Sequence, residues 1–285
     1  MKIAVIGSNG QLGSDLCSVL SHKHEVLELT HADIEISDVD SINQVVSSTR
    51  PDIILNTAAY HVVPEAENYP QKAFSLNAIS ALNLARVCQD KKIRLLHYST
   101  DYVFDGLKNA PYVETDRPNP LNVYAVSKLA GEQFVLNYCE RSMVVRVSGI
   151  YGKIASRAKG NNFVSMMLKL AKEKPEVRVV NDEFLTPTPT LAIAKNTAAL
   201  IEADTRGLFH MSCSGEVSWY EFARHIWDVL GLDTPLFPAS VKDFPAVVKR
   251  PYYSVLENKA LKDLSVYEMP EWREALTQFL LTTYK

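Results

Sequence analysis

Tyr124 and Lys128 stand four residues apart in the run Asn122-Val123-Tyr124-Ala125-Val126-Ser127-Lys128. On a helix, positions i and i+4 share a face, so the lysine ammonium would lie beside the phenol and favour its ionised form. That predicts a phenol able to exchange a proton near neutral pH. Many exposed helices carry this spacing without using it, so the pair needs a second feature to mean anything. The feature is Gly7-Ser8-Asn9-Gly10-Gln11-Leu12-Gly13 near the N-terminus. Gly7 allows a tight turn, Gly10 lets the backbone approach a pyrophosphate, and Gly13 lets a helix pack closely on a strand. A hydride donor held there can reduce a ketone only if the oxygen receives a proton as charge develops, which makes Tyr124 the candidate acid. Lys128 would also bond the nicotinamide ribose, and a hydroxyl from Ser99 or Thr100 would polarise the carbonyl. Ser99 and Thr100 could equally cap a turn.

The surrounding elements suit this chemistry. Lys2–Ile6 is a short apolar, β-branched run fit for a buried parallel strand, and Leu16, Val19 and Leu20 recur at helical spacing after Gly13. Strand, glycine turn and helix together form the context of a dinucleotide fingerprint, with the anion at the helix N-terminus. Further strands are expected at 24–29, 52–56, 93–98 and 143–147, and helices at 40–48 and 73–90, the latter with Phe74, Leu76, Ala81, Leu84, Ala85 and Cys88 on its buried side. This alternation predicts an α/β fold, a doubly wound parallel sheet of the Rossmann kind. Ligands of such sheets bind beyond the strands' carboxyl ends, where Asn56-Thr57-Ala58-Ala59-Tyr60 and Ser99-Thr100-Asp101 fall. After about Gly149 the rhythm becomes helices separated by proline-containing loops. Residues 1–148 are therefore expected to bind the cofactor and 149–285 to form a smaller, mostly helical substrate domain. Segments near 176–212 and 240–258 should return to the first part, with 176–180 as the returning strand.

Composition narrows the function classes. A formal charge of −3 over 285 residues argues against a nucleic-acid surface. No apolar run approaches membrane-spanning length and no signal sequence precedes the first strand, so a cytoplasmic enzyme without membrane partners is expected. Cys17, Cys88, Cys139 and Cys213 lack metal-type spacing and read as buried thiols, and no metal site is expected.

At these residues the sequence resembles the dTDP-4-dehydrorhamnose reductase family of the extended short-chain dehydrogenase/reductase superfamily. The marks extend along the whole chain: the glycine loop, Arg50-Pro51-Asp52, residues 56–60, Ser99-Thr100-Asp101-Tyr102-Val103-Phe104-Asp105-Gly106, Pro120-Leu121-Asn122-Val123-Tyr124 with Lys128, Gly160-Asn161-Asn162-Phe163, Ser218-Trp219-Tyr220-Glu221-Phe222 and Arg250-Pro251-Tyr252-Tyr253-Ser254. The resemblance implies reduction of the 4-keto group of a nucleotide-linked 6-deoxy-4-ketohexose by NADP or NAD cofactors, with Thr100, Tyr124 and Lys128 catalytic. It implies cofactor contacts at Gly7, Asn9, Gly10, Gln11, Leu12, Gly13, Glu35, Ile36, Ala58, Ala59, Tyr60 and Ser99, besides Tyr124 and Lys128. Phe104, Asn161, Asn162, Phe163 and Arg250 should join Thr100 and Tyr124 in holding the sugar nucleotide, the guanidinium bonding phosphate oxygens. A homodimer is among the arrangements the family adopts.

Departures concern the substrate. Gly149 follows Arg146-Val147-Ser148 where the rhamnose enzymes usually carry a tryptophan, so an aromatic platform is missing; Pro64 and Glu183 also break the usual pattern. The second strand runs into Thr30-His31-Ala32-Asp33 without an arginine, which leaves NAD and NADP both open. Two other readings stay open as well: another nucleotide-sugar reductase or epimerase of the superfamily, and a cofactor-binding regulatory subunit resembling that of methionine adenosyltransferase. Dehydratases generally add an Asp-Glu pair beside the catalytic hydroxyl, whereas Asp101-Tyr102 follows Thr100 here.

Overall fold

The computed structural model describes residues 1–244, 248–265 and 269–285. Six parallel strands form the central sheet in the spatial order Gly207–His210, Ser142–Val147, Arg94–Thr100, Ile53–Asn56, Lys2–Ile6, Glu25–Leu29. The middle strands Ile53–Asn56, Arg94–Thr100 and Ser142–Val147 are buried along their whole length, as a sheet covered on both faces requires. From Lys2–Ile6 the chain first adds Glu25–Leu29 on one side and then Ile53–Asn56 on the other. The glycine loop therefore sits at the reversal of strand order, where doubly wound sheets open a crevice.

Helices cover both faces. Gln11–Leu20 and Thr190–Glu202 pack together on one; their core continues through Ile193, Phe222, Trp272 and Leu276, so N- and C-terminal halves share one apolar interior. On the other face, Val39–Thr49, Ser80–Lys91 and Val123–Tyr138 enclose a second cluster around Ile42, Leu84 and Val135. The expected helix at 73–90 exists but contains a π-helical turn at Ser75–Ile79. That turn inserts one residue, which rotates the preceding positions by about 100°. Ala73 consequently takes the buried place and Phe74 turns outward, contrary to the simple periodicity.

Val177–Val180 forms a strand, as expected, but it does not return to the main sheet. It pairs with Leu236–Ala239 in a separate two-stranded ladder. Its burial alternates, with Val177 and Val179 inside and Arg178 exposed, a pattern that does not fit a sheet covered on both faces. Gly207–His210 takes the sixth position instead, beside Ser142–Val147. The 240–258 segment adds no strand to the main sheet among its described residues; Pro245, Ala246 and Val247 within it lie outside those residues. Its later part bridges Leu256 to Tyr112 and hydrogen-bonds Tyr252 O to Phe184 N, closing over the strand ends. Among the described residues no helix is long and apolar enough to cross a membrane.

Candidate active site

A cleft of about 1870 Å³ runs from the glycine loop past Tyr124 to Arg250. Single drug-sized ligands occupy pockets of roughly 300–1,000 Å³, so this cleft has room for two. At one end lie Asn9, Gly10, Gln11, Leu12, Glu35, Ile36, Ala58 and Ala59, with Thr30 and His31 beside them. The geometry of the loop explains its glycines. Gly7 has φ +78°, and a Cβ on Gly13 would stand 2.1 Å from Gly7 O, so helix and strand meet with no room for a side chain. The helix Gln11–Leu20 begins at Gly10 with no side-chain cap. Its leading N–H groups are thus left for an anion. Ser99 Oγ, also in the cleft wall, is buried without a hydrogen-bond partner among the described residues. An uncapped helix end, a side-chain-free approach and an orphaned hydroxyl fit a bound dinucleotide.

Tyr124 projects from the first turn of the helix Val123–Tyr138, whose start is fixed because Asn122 accepts the Ala125 N–H at 2.9 Å. Asn122 Nδ2 also donates to Lys249 O, which ties this helix start to the segment carrying Arg250. Thr100 ends its strand on the same cleft wall as the Tyr124 phenol. Burial pushes that phenol up to about 12, with the Thr100 hydroxyl acting in the lowering sense and Asp101 in the raising sense. Burial, and not the lysine charge, thus sets the phenol's ionisation, contrary to the expectation that Lys128 holds it low. Lys128 turns the other way: its Nζ donates to Tyr98 O at 2.6 Å and lies 3.2 Å from His97 Nε2. Burial brings Lys128 itself down to about 8, opposed by Glu132.

Thr100 is not idle at rest. Its hydroxyl donates to Asp101 Oδ1 at 3.1 Å and accepts from Tyr102 N. Asp101 is buried and receives two more hydroxyls, Ser148 at 2.9 Å and Ser254 at 2.6 Å. Desolvation outweighs these bonds and raises its carboxyl to about 6. The trio Thr100, Tyr124 and Lys128 is thus brought to one cleft wall at the sheet's carboxyl edge, together with Ser99.

The other end of the cleft is cationic. Arg157, Lys159, Arg178, Lys249 and Arg250 line it, near Asn161, Asn162, Phe163 and Trp219. Phe163 stacks on Trp219 with centroids 4.4 Å apart. Arg250 contributes to lowering Lys159 and offsets part of the burial that raises Glu183. The Asn162 side chain is engaged in a capping box with Ser165 and donates to Gly152 O, so it shapes the loop.

Three expected contacts are not brought into the cleft. Gly13 lies behind the loop, packed against the Gly7 and Ser8 backbone. Phe104 is buried behind the cleft, stacked on Tyr112 at 4.1 Å and under the Arg146 guanidinium. The Tyr60 hydroxyl points to Glu65, and its side chain lines a shallow outer depression with Gln71 and Lys72. Phe104 and Tyr60 each lie four residues past the end of a strand, Phe104 beyond the 3-10 turn Asp101–Val103, so strand alternation does not fix which way they point. Residues that motif reading passed over include Tyr102, edge-on to Tyr124, His61, bonded to Ser156 Oγ at 2.7 Å, and His97 beneath Lys128. His97 had a signal: an imidazole inside the strand run Arg94–Thr100, beside the apolar Leu95 and Leu96, all of it buried.

The same architecture is found in known proteins. A family model described as the RmlD substrate binding domain matches residues 1–284. The chain belongs to the RmlD family. Among RmlD-like relatives, the spore coat polysaccharide biosynthesis protein SpsK of Bacillus subtilis is 36% identical over 98% of this chain and 96% of its own. The dTDP-4-keto-6-deoxy-D-glucose reductase of Streptomyces niveus is 37% identical over 96% of this chain and 94% of its own. A dTDP-4-dehydrorhamnose reductase from Bacillus anthracis, solved in complex with NADP, superposes with a TM-score of 0.94 at 36% identity, covering 99% of each chain.

Proposed function

We propose that this protein is a nicotinamide-dependent reductase of the RmlD family, acting on the 4-keto group of a dTDP-linked 6-deoxy-4-ketohexose in deoxysugar synthesis. The observation that carries the reading is the single continuous cleft, which leads from the uncapped helix end at Gly10, past Thr100 and Tyr124, to the cations around Arg250. NADPH bound along the glycine loop would supply hydride to the sugar carbonyl carbon. Gly7, Gly10 and Gly13 would shape the pyrophosphate seat, with Gln11 and Leu12 at the helix end and Glu35, Ile36, Ala58 and Ala59 around the adenosine. Thr100 would turn its hydroxyl from Asp101 to the carbonyl oxygen, and Tyr124 would deliver the proton. A phenol held protonated by burial is the appropriate resting state for an acid, because it reaches the substrate loaded. Lys128 would then reprotonate Tyr124 and bond the nicotinamide ribose. Arg250, Lys159 and Arg178 would hold the nucleotide diphosphate, with residues 149–285 forming most of the sugar side and 1–148 most of the cofactor side.

Relatives at 36–37% identity include proteins named for two configurations of the keto-sugar, so both belong in the assay. The test is oxidation of NADPH and of NADH by the purified protein with an equilibrated mixture of dTDP-4-keto-6-deoxyglucose and dTDP-4-dehydrorhamnose. Rapid turnover with a new deoxysugar supports the reading. Cofactor binding without turnover on either sugar counts against it.

A further inference from the structure

Asn56 and His97 face each other as register partners on adjacent central strands, directly beneath Lys128. Four contacts join them into a chain: Ala58 N donates to Asn56 Oδ1 at 3.1 Å, Asn56 Nδ2 lies 3.1 Å from His97 Nδ1, His97 Nε2 lies 3.2 Å from Lys128 Nζ, and Lys128 Nζ donates to Tyr98 O at 2.6 Å. Proton positions follow from which atoms can accept. Ala58 N–H fixes the amide with its oxygen toward the loop, so the Asn56 NH₂ faces the ring as a donor. Nδ1 must then be the acceptor, and a neutral imidazole carries its one hydrogen on Nε2. That N–H points at Lys128, and an ammonium has no lone pair to receive it.

We propose that the Asn56–His97 pair is a tautomeric latch on the charge of Lys128: the neutral amine goes with the Nε2–H tautomer of His97, and protonation of Lys128 requires the ring hydrogen to move from Nε2 to Nδ1. With the ammonium formed, Nδ1–H would confront the Asn56 NH₂. Turning the amide over only transfers the conflict to Ala58 N–H, at the wall of the cofactor cleft. Lys128 charge is thereby coupled to the loop that carries Ala58 and Ala59. His97 is a positioning residue here, acting through Lys128. An imidazolium is no escape, since burial and the adjacent lysine both press His97 well below its ordinary value. The other titratable groups around Lys128 are Tyr124 one turn before it on the same helix, Glu132 one turn after it and already paired with Arg146 at 2.7 Å, and His61, itself held low by burial.

The inference rests on the reductase reading for its meaning in turnover, but its test needs no substrate, so the two fail separately. The full-length protein is labelled with ¹⁵N in the histidine rings and ¹³C at lysine Cε and titrated by NMR without cofactor. The latch predicts a Lys128 midpoint below the ordinary lysine value, with His97 as the Nε2–H tautomer above it and a switch to Nδ1–H at that same midpoint. Asn56→Asp keeps an acceptor for Ala58 N–H and gives Nδ1–H a partner. It should hold His97 as Nδ1–H, or as imidazolium, across the titration and raise the Lys128 midpoint by roughly one unit or more. A wild-type ring already Nδ1–H above the lysine midpoint, or a lysine titration with no ring change, overturns the proposal.

Discussion

At the scale of residues, Tyr124 and Asp101 show burial acting on two acids in the same direction with different consequences. Tyr124 is kept loaded, so Tyr124→Phe should leave NADPH affinity near normal while turnover falls roughly a hundredfold or more; stopped-flow binding beside steady-state rates separates the two. Asp101, raised to about 6 from 3.8, binds a proton more tightly folded than unfolded. Its protonation stabilises the fold at low pH, and that advantage is lost as pH rises from about 4 to about 6. Relative to Asp101→Asn, wild-type stability in urea should therefore drop between pH 4 and pH 7, by about 3 kcal/mol at most. An equal pH response in both proteins would place the burial penalty elsewhere. These residues differed in legibility. Tyr124 and Lys128 could be read from spacing and Thr100 from the family resemblance, whereas the Ser148 and Ser254 hydroxyls on Asp101 and the Asn56 partner of His97 come from separate strands and loops that only the fold assembles.

At the scale of elements, the helix Val123–Tyr138 must be held rigidly to the sheet for Tyr124 to face Thr100. The bidentate pair of Arg146 and Glu132, at 2.9 and 2.7 Å and fully buried, joins that helix to the strand Ser142–Val147. Removing one partner leaves a buried charge, so Glu132→Gln should cost about 3–5 kcal/mol in denaturant unfolding. The glycine loop gives a sharper steric case. Gly13→Ala would put a Cβ 2.1 Å from Gly7 O, a backbone atom that cannot swing aside, and should abolish NADPH binding while lowering the thermal midpoint. Strand-turn-helix order was legible here because each glycine answers a local backbone demand. The π-turn at Ser75–Ile79 and the fate of Val177–Val180 were not, because one inserted residue changes phase without changing composition, and a strand's partner is a tertiary choice. Gly149 extends the point: with φ +50° and Leu185 Cδ1 2.7 Å from where a Cβ would lie, the site has been closed to any platform at that position by its neighbours as well as by its own residue.

At the scale of the whole molecule, the proposed reaction asks one cleft to serve two anionic ligands, with the reacting carbon between them. The division of labour predicts that Arg250→Ala raises KM for the sugar nucleotide about tenfold or more, the range for one lost charge-assisted phosphate contact, with NADPH affinity little changed. Parallel losses of both would mean that Arg250 holds the two halves together. The alternation of strands and helices made the Rossmann half readable from sequence, and the cationic end of the cleft was readable only at Arg250. Arg157 and Lys159 share one loop and Arg178 lies on the strand Val177–Val180, and only the fold brings these two segments to the cleft that Arg250 lines.

The claim that most needs testing is that hydride passes from the cofactor to the sugar and stays there, which separates a net reductase from an epimerase or a cofactor-binding subunit. NADPH deuterated at C4 of the nicotinamide, in separate preparations for each face, would be turned over with the dTDP-4-keto-6-deoxy sugars and the product examined by mass spectrometry and NMR. One of the two labels should appear stoichiometrically at C4 of the new deoxysugar, and Tyr124→Phe should slow its appearance. A sugar product without deuterium from either cofactor, or cofactor left unoxidised while the sugar changes configuration, would contradict the account.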